Sequence, residues 1–522
     1  MTIEQSSHIV VAVHLGWGHV RPLCAFAAQV VKLRGADVTF MTTCQMYDQT
    51  VKELSRNFGE GEAALRERIR VVGLPAHETD LLDVEVVGKA FDEQFQRIIA
   101  AEPVFCSKKE TDLAALKPPS ALIIDMFGYR FFETARKLSP SLKVVVSLPP
   151  SLQSMWGLTG PYKSDGQDEM HGKIQDLMRK TGKTFVEAAD EVLVTPNEEI
   201  MDVPGLPPLY VYELYPQEPI IKLSGIGVMH LTALNLMYEC DAVFSCSAAA
   251  LEPPETVKAF NEFLALTSRK LYFLGLLLPE TGNEADMAQR ELEKSPEIAS
   301  FLKGVLEKHG ERSLVYISFG TIWWTTKSEQ VWTFLDVLME KNTPFIMAQA
   351  SPFGSLPEEV ATKVKASGIG LITPWAPQQA ILEHPTAGWF VTHSGFNSVT
   401  ESVHAGVPMI CWPFGADQPL NAVQLTENLD IAYELYEVRT GAWGLKPLRR
   451  TGKAPAGTPD ALRAEMQAVL EQAFGDDGAR KRDNIRKLRK GALELWKDGG
   501  EARRAADQLL DDIAVCARRL PL

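Results

Sequence analysis

Short apolar runs rich in β-branched residues alternate with longer amphipathic stretches along most of this chain, and that rhythm constrains its fold more than any other feature. It is the pattern of parallel strands joined by crossover helices. Strands are predicted at 9–13, 38–41, 70–72, 121–124, 144–147 and 242–245 in the first half, and at 314–318, 344–347, 369–372, 388–392 and 408–411 in the second. The first is followed by "RPLCAFAAQVVKLRG", where Leu23, Phe26, Ala27 and Val30 repeat at helical spacing between Pro22 and Gly35. A similar βα unit opens the second half with "SLVYISFGT". The expectation is an α/β protein of two doubly wound domains in tandem. The polar, charged stretch 278–312 is expected to link them.

With 522 residues the chain exceeds the usual size of one hydrophobic core, which supports two domains. A formal charge of −14 repels polyanions and argues against nucleic acid as a partner, so a bound anion must be held by local geometry. Seven scattered cysteines without a C-x-x-C pair suit a reducing compartment. The N-terminus lacks a basic leader and reads as a first strand, so a cytoplasmic location is expected. The uncharged stretch between Lys222 and Glu239 holds His230 and Asn235 and is expected to be buried, not membrane-spanning. Seven Lys or Arg crowd between Arg480 and Lys490, either as a solvated helix face or as an anionic-surface contact.

The join "FVTHSGFNSVTES", residues 390–402, passes from strand to helix. Free backbone N–H groups at such a helix start, together with the peptide dipoles, suit phosphate. Gly395 allows close approach of a ligand, and Gly406 with Pro408 stops the helix. The same residues permit another reading, because Ser398-x-x-Glu401 is also a capping box that satisfies the helix end with no ligand.

The segment around this join decides between them. "WAPQQAILEHPTAGWFVTHSGFNSVTESVHAGVPMICWPFGADQ", Trp375 to Gln418, resembles the signature box of the family 1 nucleotide-sugar-dependent glycosyltransferases, best known from plant secondary metabolism. The resemblance implies the GT-B fold, with residues 1–277 binding the acceptor and 313–490 binding a UDP-sugar. It also implies that a C-terminal helix in 491–522 returns to the first domain. It places Trp375 on the uracil, Ala376 at the base edge and Gln378 near the ribose. His393, Asn397 and Ser398 fall at the diphosphate, with backbone contacts from Gly395 and Phe396. Glu401 falls at the ribose hydroxyls, and Asp417 with Gln418 at the sugar. Thr321, in "SFGT", matches a phosphate-contacting loop. The alternatives are a core role for Trp375 and helix capping by Asp417. Where plant relatives carry C-G-W, this chain has Ser394, Gly395 and Phe396; Gln418 still points to glucose over galactose.

Sugar transfer to a hydroxyl needs a base and a stabilised leaving diphosphate. "GWGHVRP" places His19 in the loop after the first strand and matches the family's G-H-x-x-P pattern, whose histidine is the base. Asp125, ending the apolar run "LIID", matches the aspartate that orients it; a carboxylate there needs a partner. Phe127, Ser147, Met155 and Trp156 are expected to line the acceptor side, implying a lipophilic acceptor such as a phenol, polyketide, terpenoid or sterol; core packing explains Phe127, Met155 and Trp156 equally well. The chain has no Asp-x-Asp pattern, so no metal or other cofactor is expected beyond the UDP-sugar co-substrate. The expected reaction is a single inverting displacement. The competing readings are a UDP-sugar epimerase or hydrolase of the same architecture, and a non-catalytic UDP-sugar or lipid sensor.

Overall fold

The computed structural model describes residues 7–14, 16–77, 84–159, 166–220, 223–279 and 284–513. Two parallel sheets organise them. The first contains β1 (His8–Ala12), β2 (Asp37–Thr43), β3 (Ile69–Leu74), β4 (Ala121–Asp125), β5 (Lys143–Leu148), β6 (Ala242–Ser245) and β7 (Leu271–Phe273), in the order β7-β6-β5-β4-β1-β2-β3. The second contains β8 (Leu314–Ser318), β9 (Phe345–Ala348), β10 (Gly370–Thr373), β11 (Ala387–Thr392), β12 (Met409–Cys411) and β13 (Ala432–Glu434), in the order β10-β9-β8-β11-β12-β13.

The strands are apolar throughout because both faces are covered. In β1, Ile9 and Val11 enter one core while Val10 and Ala12 enter the other, and all four are fully buried. That is the period-2 geometry of a strand with helices on both sides. The eleven strands expected from sequence are present. β7 and β13, which were not foreseen, are three-residue strands at sheet edges.

The helices used below are α1 (Trp17–Arg34), α2 (Tyr47–Ser55), α3 (Leu152–Thr159), α4 (Ile226–Glu239), α5 (Glu284–Glu293), α6 (Pro296–His309), α7 (Gln378–Glu383), α8 (Phe396–Ala405), α9 (Gln418–Val423), α10 (Asp476–Ala492) and α11 (Glu501–Asp512). The connecting stretch is thus largely helical: α6 buries Ile298, Leu302 and Val305 at helical spacing. α4 buries Leu231, Ala233, Leu234, Leu236 and Met237. Among the described residues, no helix is long and apolar enough to cross a membrane.

The basic cluster of α10 is largely spent on the fold. Arg480 and Lys481 both pair with Asp430, Arg482 donates to the Gly388 carbonyl, Arg486 pairs with Asp483, and Arg489 donates to the His404 carbonyl. α11 packs against the first sheet, where Arg34 of α1 pairs with Asp507 at 2.7 Å and Asp511 at 2.9 Å.

Candidate active site

Strand order reverses direction between β1 and β4 in the first sheet and between β8 and β11 in the second. At such switch points the chain leaves adjacent strands in opposite directions and opens a crevice at their carboxyl ends. The site residues gather at these two points.

In the first lobe, Asp125 ends β4, fully buried, and His19 lies beside it. His19 Nδ1 is 2.8 Å from Asp125 Oδ1, and the other carboxylate oxygen accepts the Phe127 N–H at 3.1 Å. Burial lowers the His19 pKa, but the Asp125 charge and hydrogen bond, with a further contribution from Asp417, outweigh it and leave the ring above its ordinary value. The Phe127 ring stands 5.2 Å from the imidazole. One expectation is corrected here, since His19 sits in the first turn of α1, not in a loop. The helix begins at Trp17, so Pro22 is inside it.

That position has a consequence. Pro22 has no N–H, so the Gly18 carbonyl four residues earlier lacks its helical donor. The Asn397 side chain of the second lobe supplies one, Nδ2 to Gly18 O at 2.8 Å. A gap in one helix is thereby the docking point for the start of another.

In the second lobe, the His393 ring is wedged between two glycines. A Cβ on Gly395 would lie 2.3 Å from His393 Nε2, and one on Gly320, whose φ is +75°, would lie 3.1 Å from the ring. Burial pushes His393 down to about 4, so the imidazole is neutral at physiological pH. α8 starts at Phe396 with Gly395 as its N-cap and no side-chain cap. The alternative capping box of Ser398 and Glu401 is therefore not formed. Ser394, just before it, adopts a φ of 66°, a left-handed conformation that costs energy for a residue with a side chain. Thr321 is exposed after β8.

Trp375 is 53% exposed, which removes the reading of it as a core aromatic, and Lys52 of α2 sits 5.6 Å over its ring. Ala376 is buried beside it. Gln378 opens α7 and donates through Nε2 to Glu401 Oε2. Glu401 also pairs with Arg21 Nη1 at 2.7 Å, across the lobes. Asp417 does not cap α9 with its side chain; its carboxylate accepts from Asn421 Nδ2 at 2.7 Å. Burial raises its pKa. Asn421 Oδ1 in turn accepts from Ser151 at 2.6 Å and Ser154 at 3.0 Å beside α3. Gln418 is turned inward, its Oε1 accepting the Phe414 N–H at 2.8 Å.

Three acceptor-side expectations fall in the protein interior. Ser147 is fully buried against Cys246, Met155 is fully buried, and Trp156 packs on Phe260 in the first-lobe core. Their burial explains them without an acceptor. His14 went unforeseen: its ring meets the Phe131 edge at 5.3 Å, and both ring nitrogens are buried without a partner. Burial pushes it down to about 4.

Comparison with known proteins fits this geometry. The family model for UDP-glucoronosyl and UDP-glucosyl transferase matches residues 269–433. The UDP-glycosyltransferase eriJ of Hericium erinaceus is 31% identical over 98% of this chain and 99% of that protein. The chain belongs to the UDP-glycosyltransferase family. UDP-glycosyltransferase 72B1 of Arabidopsis thaliana is 24% identical over 97% of this glycosyltransferase and 96% of its own length. Phytolacca americana UGT2, complexed with UDP-2fluoro-glucose and pterostilbene, superposes with a TM-score of 0.66 at 20% identity, over 97% of this chain and 99% of that one. A transferase from Siraitia grosvenorii in complex with UDP gives 0.67 at 19% identity, over 97% and 100%. These two likenesses establish the GT-B fold of the enzyme.

Proposed function

We propose that this glycosyltransferase moves glucose, with inversion, from UDP-glucose to a hydroxyl of a small lipophilic acceptor, with His19 as base and Asp125 as its orienting partner. The observation that carries the reading is the 2.8 Å contact between these two side chains at a switch point opposite the α8 start. With Nδ1–H donated to Asp125, Nε2 keeps its lone pair for the acceptor proton. As Nε2 takes that proton, the acceptor oxygen attacks the anomeric carbon and the bond to the β-phosphate oxygen breaks. UDP leaves with the electron pair, and Asp125 stabilises the imidazolium.

In the second lobe, we assign the diphosphate to His393, Gly395, Phe396, Asn397, Ser398 and Thr321, and the uracil to Trp375 and Ala376. The ribose falls to Gln378 and Glu401, and the sugar to Asp417 and Gln418. Free N–H groups at the α8 start suit developing phosphate charge. With no Asp-x-Asp pattern in the chain, we expect no metal requirement. The acceptor lobe is assigned to 1–277, the connection to 278–312, the donor lobe to 313–490 and the returning segment to 491–522. The activities named for relatives, among them an anthocyanidin 3-O-glucosyltransferase of Manihot esculenta at 23% identity, support glucose and a small acceptor. The six cysteines among the described residues are unpaired, which supports a reducing, cytoplasmic setting.

The test is UDP release from UDP-glucose and UDP-galactose against a panel of phenols and sterols, with product analysis. Glycoside formation is expected with UDP-glucose preferred, undiminished by a chelator. His19→Ala should abolish turnover while UDP still binds. Free glucose or an epimerised nucleotide sugar as the sole product would overturn transfer, and an unimpaired His19→Ala variant would remove the base.

A further inference from the structure

Arg21 is a charged residue in the buried first half of α1. Its neighbours Val20, Pro22, Leu23 and Cys24 are all buried, and so is Arg21 itself. Burial of a guanidinium is costly unless its donors are met. Here they are met from two lobes at once: Nε donates to Glu53 Oε1 of α2 at 2.9 Å, and Nη1 reaches Glu401 Oε1 of α8 at 2.7 Å. Glu53 Oε2 pairs with Arg56 at 2.8 Å, and Arg56 donates onward to Gln379 of α7. With Lys52 over Trp375, one face of α2 covers the residues assigned above to the nucleoside.

We propose that Arg21 is a positioning residue for nucleotide recognition: from the acceptor lobe, it fixes and neutralises Glu401 so that this carboxylate can receive the ribose diol beside a diphosphate. The proposal rests on the assignment of Glu401 to the ribose. Each Glu401 oxygen already accepts one donor, Arg21 on Oε1 and Gln378 on Oε2, and each keeps a second lone pair for a ribose hydroxyl. Without Arg21 a buried carboxylate would keep the Gln378 hydrogen bond but lack a counter-charge near a polyanionic ligand. Although burial lowers the Arg21 pKa, Glu401 and Glu53 raise it beyond its ordinary value, so the cation persists at every relevant pH. Recognition of a ribonucleotide by the second lobe then depends on a residue of the first.

The test is calorimetric titration of the full chain with UDP and with 2′-deoxy-UDP. Wild type is expected to favour UDP. Arg21→Met should weaken UDP binding about 10- to 100-fold and bring the UDP/dUDP ratio to within about twofold of unity, while a thermal melt shows a folded protein. The KM for UDP-glucose should rise with kcat changed less than about threefold. A folded Arg21→Met protein that keeps the wild-type ratio overturns the proposal. Should Arg21→Met fail to fold, Arg21→Lys, whose ammonium lacks the planar fork, replaces it; a wild-type ratio there is equally fatal. Glu401→Gln separates the two claims. If it leaves the ratio intact, the ribose assignment itself fails; if it collapses the ratio and the Arg21 variants do not, only the role of Arg21 falls.

Discussion

An imidazole held by a buried carboxylate titrates higher than one in water, and that shift should be visible in the kinetics. His19 must be neutral to accept a proton, so kcat/KM should rise as pH climbs through its folded pKa, which lies above the ordinary 6.5. In Asp125→Asn the principal raising influence is gone and the lowering by burial remains. The acid limb should move to lower pH, and kcat should fall about 10²- to 10⁴-fold because the ring loses its orientation and its counter-charge. A pH–rate profile of both proteins checks this, and an unmoved limb would mean that the limb reports another group. Asp125 was legible in sequence because it ends a readable strand, and His19 because it stands in the G-H-x-x-P pattern after the first strand. Arg21 was not. Within "GHVRP" it looks like an ordinary helix charge, and its partners Glu53 and Glu401 are remote in the chain. His14 was hidden likewise, since nothing local says that its ring nitrogens will be enclosed.

Element boundaries carry the next layer of function. The α8 start was recognisable from Gly395 and from the stop at Gly406, whose φ of 72° terminates the helix as a left-handed cap. Where α1 begins was not, because Pro22 normally marks a first turn and here lies further in. What sequence rules could not supply is the donor that satisfies Gly18 from outside the helix. The Gly395 position offers a direct test of how finely the turn assigned to the diphosphate is fitted. A methyl there would meet His393 Nε2 at 2.3 Å and other ring atoms at 3.0 and 3.1 Å, and the ring is backed by Gly320 on its other side. Gly395→Ala should therefore displace His393, cost about 1–3 kcal/mol of stability and weaken UDP binding on the order of tenfold. Denaturant unfolding and calorimetry check it, and unchanged UDP affinity would show that the ring position is not part of the site. At this scale the repeat of strand and helix was clear from sequence, whereas β7 and β13 were not, being short edges supported by their neighbours.

At the scale of the molecule, the last described helix completes the first lobe. α11 follows the whole second sheet in sequence, yet it lies on β7 and α1, so the first lobe is not fully covered until α11 is in place. Its inner face is apolar at helical spacing: Ala502, Ala506, Leu509 and Leu510 have no exposed surface. Its outer edges are tied by Arg34 to Asp507 and Asp511 and by Lys270 to Asp512 at 2.8 Å. Those ion pairs are partly exposed and add little, so the buried leucines must hold the helix. Removing one leucine side chain from a core costs about 2–5 kcal/mol. A Leu509→Ala/Leu510→Ala variant should thus lose on the order of 4–10 kcal/mol, enough to detach α11 or unfold the first lobe. The residues assigned to the donor belong to the second lobe. Unfolding followed by near-UV circular dichroism should accordingly show an early transition in the variant, while the later transition keeps only a reduced UDP-dependent stabilisation, because Arg21 no longer meets Glu401 once the first lobe has opened. If a single cooperative transition shifts as a unit, the two lobes unfold together, and the contacts between α3 and α9, with those of Arg21 and Asn397, join the sheets more strongly than α11 joins the chain to itself.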